Sequence, residues 1–328
     1  MIISKTPFRI SFFGGGTDYP DWYLKEGGAV LSTTIDKYCY ISCRYLPPFF
    51  GIKHRIVWSR VETVSSIDEI YHPAVREGLK FLGFNDTKGF EIHHQGDLPA
   101  RAGMGSSSAF AVGLIKALTA LQGKLIGKQE LALKAIELEH DILKENVGSQ
   151  DQVAVAYGGF NLIYFCADGS IRVEPVTVSP ARLRSLEQNL LMFYTGTSRT
   201  ASNIAAGIIA NLSEKRKNLL EMRQLVDQAL DILNSDKSLD HFGALLHETW
   251  LRKRKLSAEV SNSIIDTIYE TAIKNGALGG KLLGAGSSGF MIFYTPQNKQ
   301  EKVIKALANY LRVPFHFENE GSQIIYYK

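Results

Sequence analysis

Cysteine is scarce in this 328-residue chain, and the three present, Cys39, Cys43 and Cys166, form no CxxC pair and have no paired histidine nearby. An odd, scattered set excludes a disulfide framework and a zinc knuckle, and suits a reducing compartment. Long hydrophobic runs are missing as well. No stretch approaches the ~20 apolar residues of a membrane span. The opening MIISKTPFRI carries Pro7 and Arg9 where a secretory signal would have its apolar core. A cytoplasmic protein with no membrane partner is therefore expected. Charge of one sign is also lacking: 37 Lys+Arg against 33 Asp+Glu leave a formal +4, too little at this length to indicate a nucleic-acid partner. Repeats and low-complexity tracts are absent.

What is present is a globular composition, 45% hydrophobic and 21% charged, in a chain long enough for about two domains. The first half opens with sheet. IISKTPFRISFF running into GGG reads as a strand ending in a glycine turn, and 29–35 and 38–45 are rich in β-branched and aromatic residues. The compact apolar run AFAVGLIKALTAL at 109–121 suits a buried helix, and a second helix is expected over 128–145. VAVAYGGFNLIYF and IRVEPVTV then read as strands, and Pro180 opens a polar transition into a further strand, which places a soft boundary near 180. The remainder is helix-rich over 201–234, 239–254 and 257–275, followed by a glycine segment, a helix and a strand.

Three segments rich in glycine or serine carry the chemistry. In LPARAGMGSSSAF (98–110), Gly103 and Gly105 let backbone amides approach an anion, and Ser106, Ser107 and Ser108 add hydroxyls. The apolar helix that follows points its positive end at the same spot. A phosphate cradle and a plain serine-capped turn both fit this segment taken alone. It is not a Walker A loop, because no Lys follows the second glycine. Gly284, Gly286 and Gly289 spell a literal GxGxxG, but strand-like FMIFY comes next where a dinucleotide fold needs a helix. A strand-flanked glycine hairpin remains. In PFRISFFGGGTDYPDW, Arg9 lies at the base of a strand and Asp18 just past the glycines, where a carboxylate could hold sugar hydroxyls or simply form a turn.

The 128–145 helix adds a sharper signal. Glu139 continues the apolar stripe of Ala132, Ile136 and Leu143, whereas Glu137, Asp141 and Glu145 follow one another on the polar face and read as solvated. An inward carboxylate needs a cation or hydrogen-bond donors to offset its desolvation. Twelve residues on, GSQDQ sets Asp151 in a glycine loop. A carboxylate for metal and another near a transferable proton are parts of a phosphoryl-transfer site. His93 and His94 face opposite sides of one strand and read as structural. The basic runs EKRK at 214–217 and RKRK at 252–255 read as solvated faces, and Arg199, after a strand end and a glycine, is a candidate substrate contact.

In this order, PFRISFFGGGTDY, LPARAGMGSSSAF, the Glu139 to Asp151 spacing and KLLGAGSSGFMIFY resemble the GHMP kinase superfamily, named for galactokinase, homoserine kinase, mevalonate kinase and phosphomevalonate kinase. GGGTDYPDW, GGAVLSTTIDKY and the phosphate loop are similar to its sugar 1-kinases acting on heptose 7-phosphate and fucose. The resemblance implies an α+β fold, with a ribosomal-protein-S5-domain-2-like N-terminal domain (1–180) carrying the ATP phosphate loop and a ferredoxin-like C-terminal domain (181–328). It implies that ATP phosphates lie on Gly103, Met104, Gly105, Ser106, Ser107 and Ser108, and that Mg²⁺ is held by Glu139 with Ser106 or Ser107. Asp151 would accept or orient the proton of an anomeric hydroxyl, with Arg9 beside it. Gly15, Gly16, Thr17, Asp18, Arg199 and Gly286 would meet the substrate. Galactokinases carry an acidic residue and a histidine just before the Thr-Asp; this chain has Gly15 and Gly16 there, which implies a roomier sugar pocket. The implied reaction is ATP-dependent phosphorylation of the anomeric hydroxyl of D-glycero-D-manno-heptose 7-phosphate, with a fucokinase-like kinase as the alternative. The partners would be a sugar phosphate and ATP, and the protein a monomer or homodimer. A non-catalytic sugar and nucleotide sensor would need neither Glu139 nor Asp151.

Overall fold

The computed structural model describes residues 1–196, 201–212 and 214–328. Strand β1 (Ile2–Phe13) and the 19-residue β2 (Gly28–Leu46) form the spine of a nine-stranded sheet. The two strands expected across 29–45 are one. Pro7 pairs with Tyr38 and Phe8 with Ile35, so Asp36 and Lys37 bulge out opposite the Pro7–Phe8 step. Proline has no N–H to give a ladder, and a register shift is where an inner strand tolerates it. Beyond this shift Arg9 donates its backbone N–H to Met104 O at 3.3 Å, the first link between β1 and the 98–110 segment.

The length of β2 lets it serve two neighbours along its other edge. Residues 28–33 pair with β6 (Phe160–Phe165) and residues 39–46 with β5 (Gly89–Gly96). Strand β3 (His54–Val57) joins β5 in parallel, β4 (Val61–Val64) joins β3, and β7 (Ile171–Pro175) extends β6. The last strands of the chain come back to this sheet: β12 (Phe317–Glu318) pairs with β2 and β13 (Gln323–Tyr327) with the outer edge of β1. A second, antiparallel sheet has the order β11 (Leu311–Arg312), β8 (Leu190–Tyr194), β10 (Phe290–Tyr294), β9 (Gly279–Leu282).

Helix α1 (Pro20–Glu26) follows the first glycine turn, and α2 (Pro73–Phe81) packs on α3 (Ser106–Leu121), the buried helix expected at 109–121. Gly113 allows α3 to lie close on β1: a Cβ there would sit 3.0 Å from Thr6 Oγ1, and Ser4 Oγ donates to Gly113 O at 2.8 Å. The second helix is shorter than its sequence pattern suggests. Helix α4 (Lys128–Glu137) passes into a π-helical turn, Leu138–Ile142, and Lys144 at φ 55 ends it. The wider turn buries both Leu138 and Glu139, and such turns recur at functional sites. VAVAY is not a strand: it belongs to α5 (Gln150–Tyr157), which places Asp151 in a first helical turn rather than a glycine loop. A short run that is apolar throughout does not distinguish the two structures by period, and here 152–156 is buried all round.

Three further elements differ from the sequence reading. The polar stretch after Ser179 is α6 (Pro180–Gln188), begun by proline at the first helical position with Ser179 Oγ capping Arg182 N. The expected 201–234 helix is broken into α7 (Ala201–Ala210) and α8 (Arg216–Leu233). Helix α9 (Asp240–Lys253) lies on β9 and β10 and also meets β1, and α10 (Ser263–Lys274) and α11 (Gln297–Ala306) complete the chain. Sheets that are antiparallel apart from the β3–β5 pair, with helices packed on them, make this an α+β fold, as expected. No described helix is long and apolar enough to cross a membrane.

Phe12 joins the first sheet to α9, the helix that lies on the second. It is fully buried and meets Phe160, Phe242 and Phe317 edge-on at centroid distances of 5.8, 5.4 and 6.3 Å. Phe242 comes from α9 and the other two from the first sheet, so one ring fills the seam. Phe12→Ala is expected to cost about 3–5 kcal/mol, measured from the shift in urea denaturation midpoint. An unchanged midpoint would show that the seam is held elsewhere.

Candidate active site

The Arg9 guanidinium grips Asp151 with two parallel bonds, Nε to Oδ1 at 2.7 Å and Nη2 to Oδ2 at 2.6 Å, and gives its third nitrogen to Gly103 O at 2.8 Å. Arg9 is 3% exposed and Asp151 22%, so the guanidinium is sealed while one side of the carboxylate stays open. A forked pair of this kind is both strong and directional. Gly105 caps the N-terminus of α3 at φ 73, and a Cβ on it would lie 3.3 Å from Asp151 Oδ2. The amide end of α3, the Asp151 carboxylate and the Arg9 cation thus converge on one point, where an anion and a proton donor can both be held.

Glu139 sits in the next layer. Fully buried, it accepts from Ser107 Oγ at 2.5 Å, Ser108 Oγ at 2.7 Å and Gln152 Nε2 at 2.6 Å. Burial pushes its carboxyl up to about 7 despite those three donors, and the neighbouring Glu145 charge adds to the rise. Glu145 is part of the site rather than of a solvated face. Its Oε2 lies 3.3 Å from Ser107 Oγ, and burial raises its carboxyl too. Two carboxylates therefore flank one exposed hydroxyl with no basic side chain among the described residues bonded to either, a hard oxygen donor set that fits a divalent cation such as Mg²⁺. No group of three or more His, Cys, Asp or Glu forms a metal cage among the described residues, so a cation here would complete its shell from phosphate oxygens or water. Ser107 is the serine that faces this position. Ser106 Oγ accepts instead from Arg101 N at 3.0 Å, and Ser108 is buried beneath. Met104 is also buried, so its contribution to the phosphate loop is its backbone.

The first glycine turn closes the opposite side. Asp18 is buried and accepts from Gly16 N at 2.8 Å and Gln150 N at 3.4 Å, and Ser149 N donates to its carbonyl at 2.9 Å. A Cβ on Gly148 would fall 1.9 Å from Asp18 Oδ2. Burial, and then repulsion from Asp151, raise the Asp18 carboxyl above its ordinary value. Thr17 is a fastener: its hydroxyl donates to Gly14 O at 2.8 Å and accepts from Ala29 N at 3.2 Å. Gly15 faces open ground, with Gln150 Nε2 and Ser11 Oγ 3.6 and 3.7 Å from where a Cβ would be. Ser11 Oγ and Gln150 Oε1 are buried without a hydrogen-bond partner among the described residues, which leaves them free for a polyhydroxylated ligand.

The third segment is the expected hairpin, joining β9 to β10. It packs backbone to backbone on the phosphate loop: Cβ atoms on Gly284 and Gly289 would lie 2.3 Å from Gly103 Cα and 2.2 Å from Ala102 O. Gly286 lies instead against Val260, where a Cβ would come 2.7 Å from Val260 Cα. Arg199 falls outside the described residues. The RKRK run is not wholly solvated. Lys253 is buried behind the hairpin and bonds its carbonyls, while Arg252 pairs with Glu221 and Glu248, and Arg254 with Asp266. Lys281 of GGKLLG is buried as well. His93 and His94 have different surroundings: His93 meets Glu91, and His94 lies edge-on to Phe110.

Comparison with known proteins gives the family. GHMP kinases N terminal domain matches residues 69–159 and GHMP kinases C terminal matches residues 222–313. The chain belongs to the GHMP kinases. It is 32% identical to D-glycero-alpha-D-manno-heptose 7-phosphate kinase of Campylobacter jejuni, over 98% of this chain and 97% of that protein. A crystal structure described as a putative sugar kinase from the same species aligns with TM-score 0.70 at 27% identity, covering 99% and 98% of the two chains. A D-glycero-D-manno-heptose 1-phosphate kinase from Bacteroides thetaiotaomicron shares the fold, with TM-score 0.73 at 24% identity and 98% coverage of both chains. As a GHMP kinase with a sugar kinase as a full-length relative, the chain is an ATP-dependent carbohydrate kinase.

The buried carboxylate of this GHMP kinase has a thermodynamic signature. Folded Glu139 keeps its proton to about 7, whereas the unfolded chain releases it at an ordinary carboxylate pH. The folded state then binds the extra proton, and stability falls as pH rises through that window. Without ligands, the wild type is expected to lose up to about 3 kcal/mol relative to Glu139→Gln between pH ~5 and ~8, read from urea denaturation at each pH. Parallel curves for the two proteins would contradict a strained Glu139.

Proposed function

We propose that this kinase transfers the γ-phosphoryl of ATP to the anomeric hydroxyl of D-glycero-D-manno-heptose 7-phosphate, giving the 1,7-bisphosphate. The observation that carries the reading is the Arg9–Asp151 fork set against the amide end of α3. Phosphoryl transfer asks mainly for positioning and charge stabilisation, and this point offers both. The ATP phosphates would rest on Gly103, Met104 and Gly105 and on the hydroxyls of Ser106 and Ser107. Asp151 would take or orient the hydroxyl proton, and Arg9, fixed to Asp151 and Gly103 O, would hold that carboxylate in line while offsetting charge on the transferring group. Glu139, Glu145 and Ser107 would hold Mg²⁺, which when bound neutralises phosphate charge.

Asp18, Ser11 and Gln150 would meet the sugar hydroxyls, with Gly15 and Gly16 leaving room for a heptose. The C. jejuni relative supports the heptose phosphate, and the product would feed nucleotide-activated heptose for a surface polysaccharide. The two domains would divide near residue 180, with β12 and β13 returning to the first sheet, and the enzyme would work in the cytoplasm as a monomer or homodimer.

The test is an ADP-release assay with MgATP against D-glycero-D-manno-heptose 7-phosphate, sedoheptulose 7-phosphate, mannose, fucose and galactose, with the phosphate position read by ³¹P NMR. Selective turnover of the heptose phosphate at its anomeric carbon is expected, and turnover of fucose alone would move the enzyme to the fucokinase-like branch. Asp151→Ala is expected to lower kcat by about 10²–10⁴-fold. Wild-type turnover by that variant would overturn the role given to Asp151.

A further inference from the structure

The reaction described above uses Arg9, Asp151 and Asp18, but two buried lysines share their surroundings. Lys253, the last residue of α9, is 7% exposed. Its Nζ donates to Leu282 O at 2.9 Å and to Gly284 O, where β9 turns into the glycine hairpin. Lys281 Nζ donates to Ser11 O and Phe12 O at 2.9 Å each. Lys253 feels the charges of Arg9 on β1, Asp151 on α5 and Asp18 in the first glycine turn, and Lys281 on β9 feels Lys253.

A continuous chain of contacts results. Lys253 holds Gly284 O, Gly284 lies on Gly103, Gly103 O accepts from Arg9, and Arg9 grips Asp151. Donor arithmetic adds a second point. A neutral lysine has two N–H groups, enough for the two carbonyls, whereas an ammonium has a third. Both forms therefore pin the hairpin, and protonation adds one donor and one positive charge. Burial, with repulsion from Arg9 as the next cause, lowers Lys253 to about 7, so near neutral pH the charge is easily gained when an anion arrives.

We propose that Lys253 is a positioning residue for phosphoryl transfer, which pins the 283–289 hairpin to the phosphate loop and takes up a proton when the phosphates of the nucleotide arrive. The proposal rests on the kinase reading of the site. Its test counts protons, which a merely structural lysine would not change. The ATP analogue AMP-PNP is titrated calorimetrically at about pH 8 in buffers of different ionisation heat, into wild type, Lys253→Met and Lys253→Arg. Wild type is expected to take up more protons than either variant. In Lys253→Met, kcat is expected to fall by about 10²-fold with a smaller change in KM for ATP, and Lys253→Arg is expected to recover part of the loss.

Equal proton counts in wild type and Lys253→Met, or a wild-type kcat in Lys253→Met, would overturn the proposal. Should the Met variant fail to fold, the wild-type count decides alone, and no uptake overturns it. A wild type that binds AMP-PNP yet phosphorylates no sugar would overturn the kinase reading instead, while the proton count would still decide Lys253.

Discussion

The Arg9–Asp151 pair is where the architecture meets. Arg9 is carried by the central strand and reaches its position after a register shift at Pro7; Asp151 is carried by a short helix packed on that strand. The third guanidinium nitrogen fixes the carbonyl of the phosphate loop. A buried cation with each of these bonds made is tolerable; one with a bond missing is costly. Strand, helix and loop must therefore all be in place together, and their common focus is the place where a phosphoryl group would pass.

The site accepts local costs to remain ready. Glu139 is held buried by three donors and no cation, and Lys253 is buried among carbonyls with Arg9 close by. Each is costly to bury as a charge, and in the proposed roles a bound cation would offset that cost for Glu139 and a bound anion for Lys253. In those roles, ligands that bring the counter-charges would stabilise the folded protein by mass action.

Much of this was legible in the residues. Glu139 announced itself by continuing an apolar stripe, and Gly103 and Gly105 within the 98–110 segment marked a turn at a helix start. Lys253 carries the same signature as Glu139: Phe242, Leu246 and Trp250 run down the buried side of α9 and Lys253 follows at the next turn. It was hidden by its neighbours, since a basic run reads as solvated until a structure shows which members point inward. Lys281 stands alone in an apolar strand and could have been found the same way. What could not be read was distance. Glu145, Gln152 and Gln150 acquire their roles from a π turn and a helix that replaced an expected strand, and the alternation in VAVAY offers no period to separate them. Gly286 shows the limit of motif reading: its neighbours Gly284 and Gly289 face the phosphate loop while it faces Val260.

The return of β13 to the outer edge of β1 orders events in time as well as space. The strand that carries Arg9 is made well before one of its edges can be completed, because the residues that complete it lie more than 300 positions later. Until then β1 offers a row of unpaired amides and carbonyls, the kind of edge that recruits foreign strands. The first sheet can collapse early around β2, but the strand that carries Arg9 is sealed on both sides only once β13 has been made. The interval between those moments is when a nascent chain most needs a chaperone.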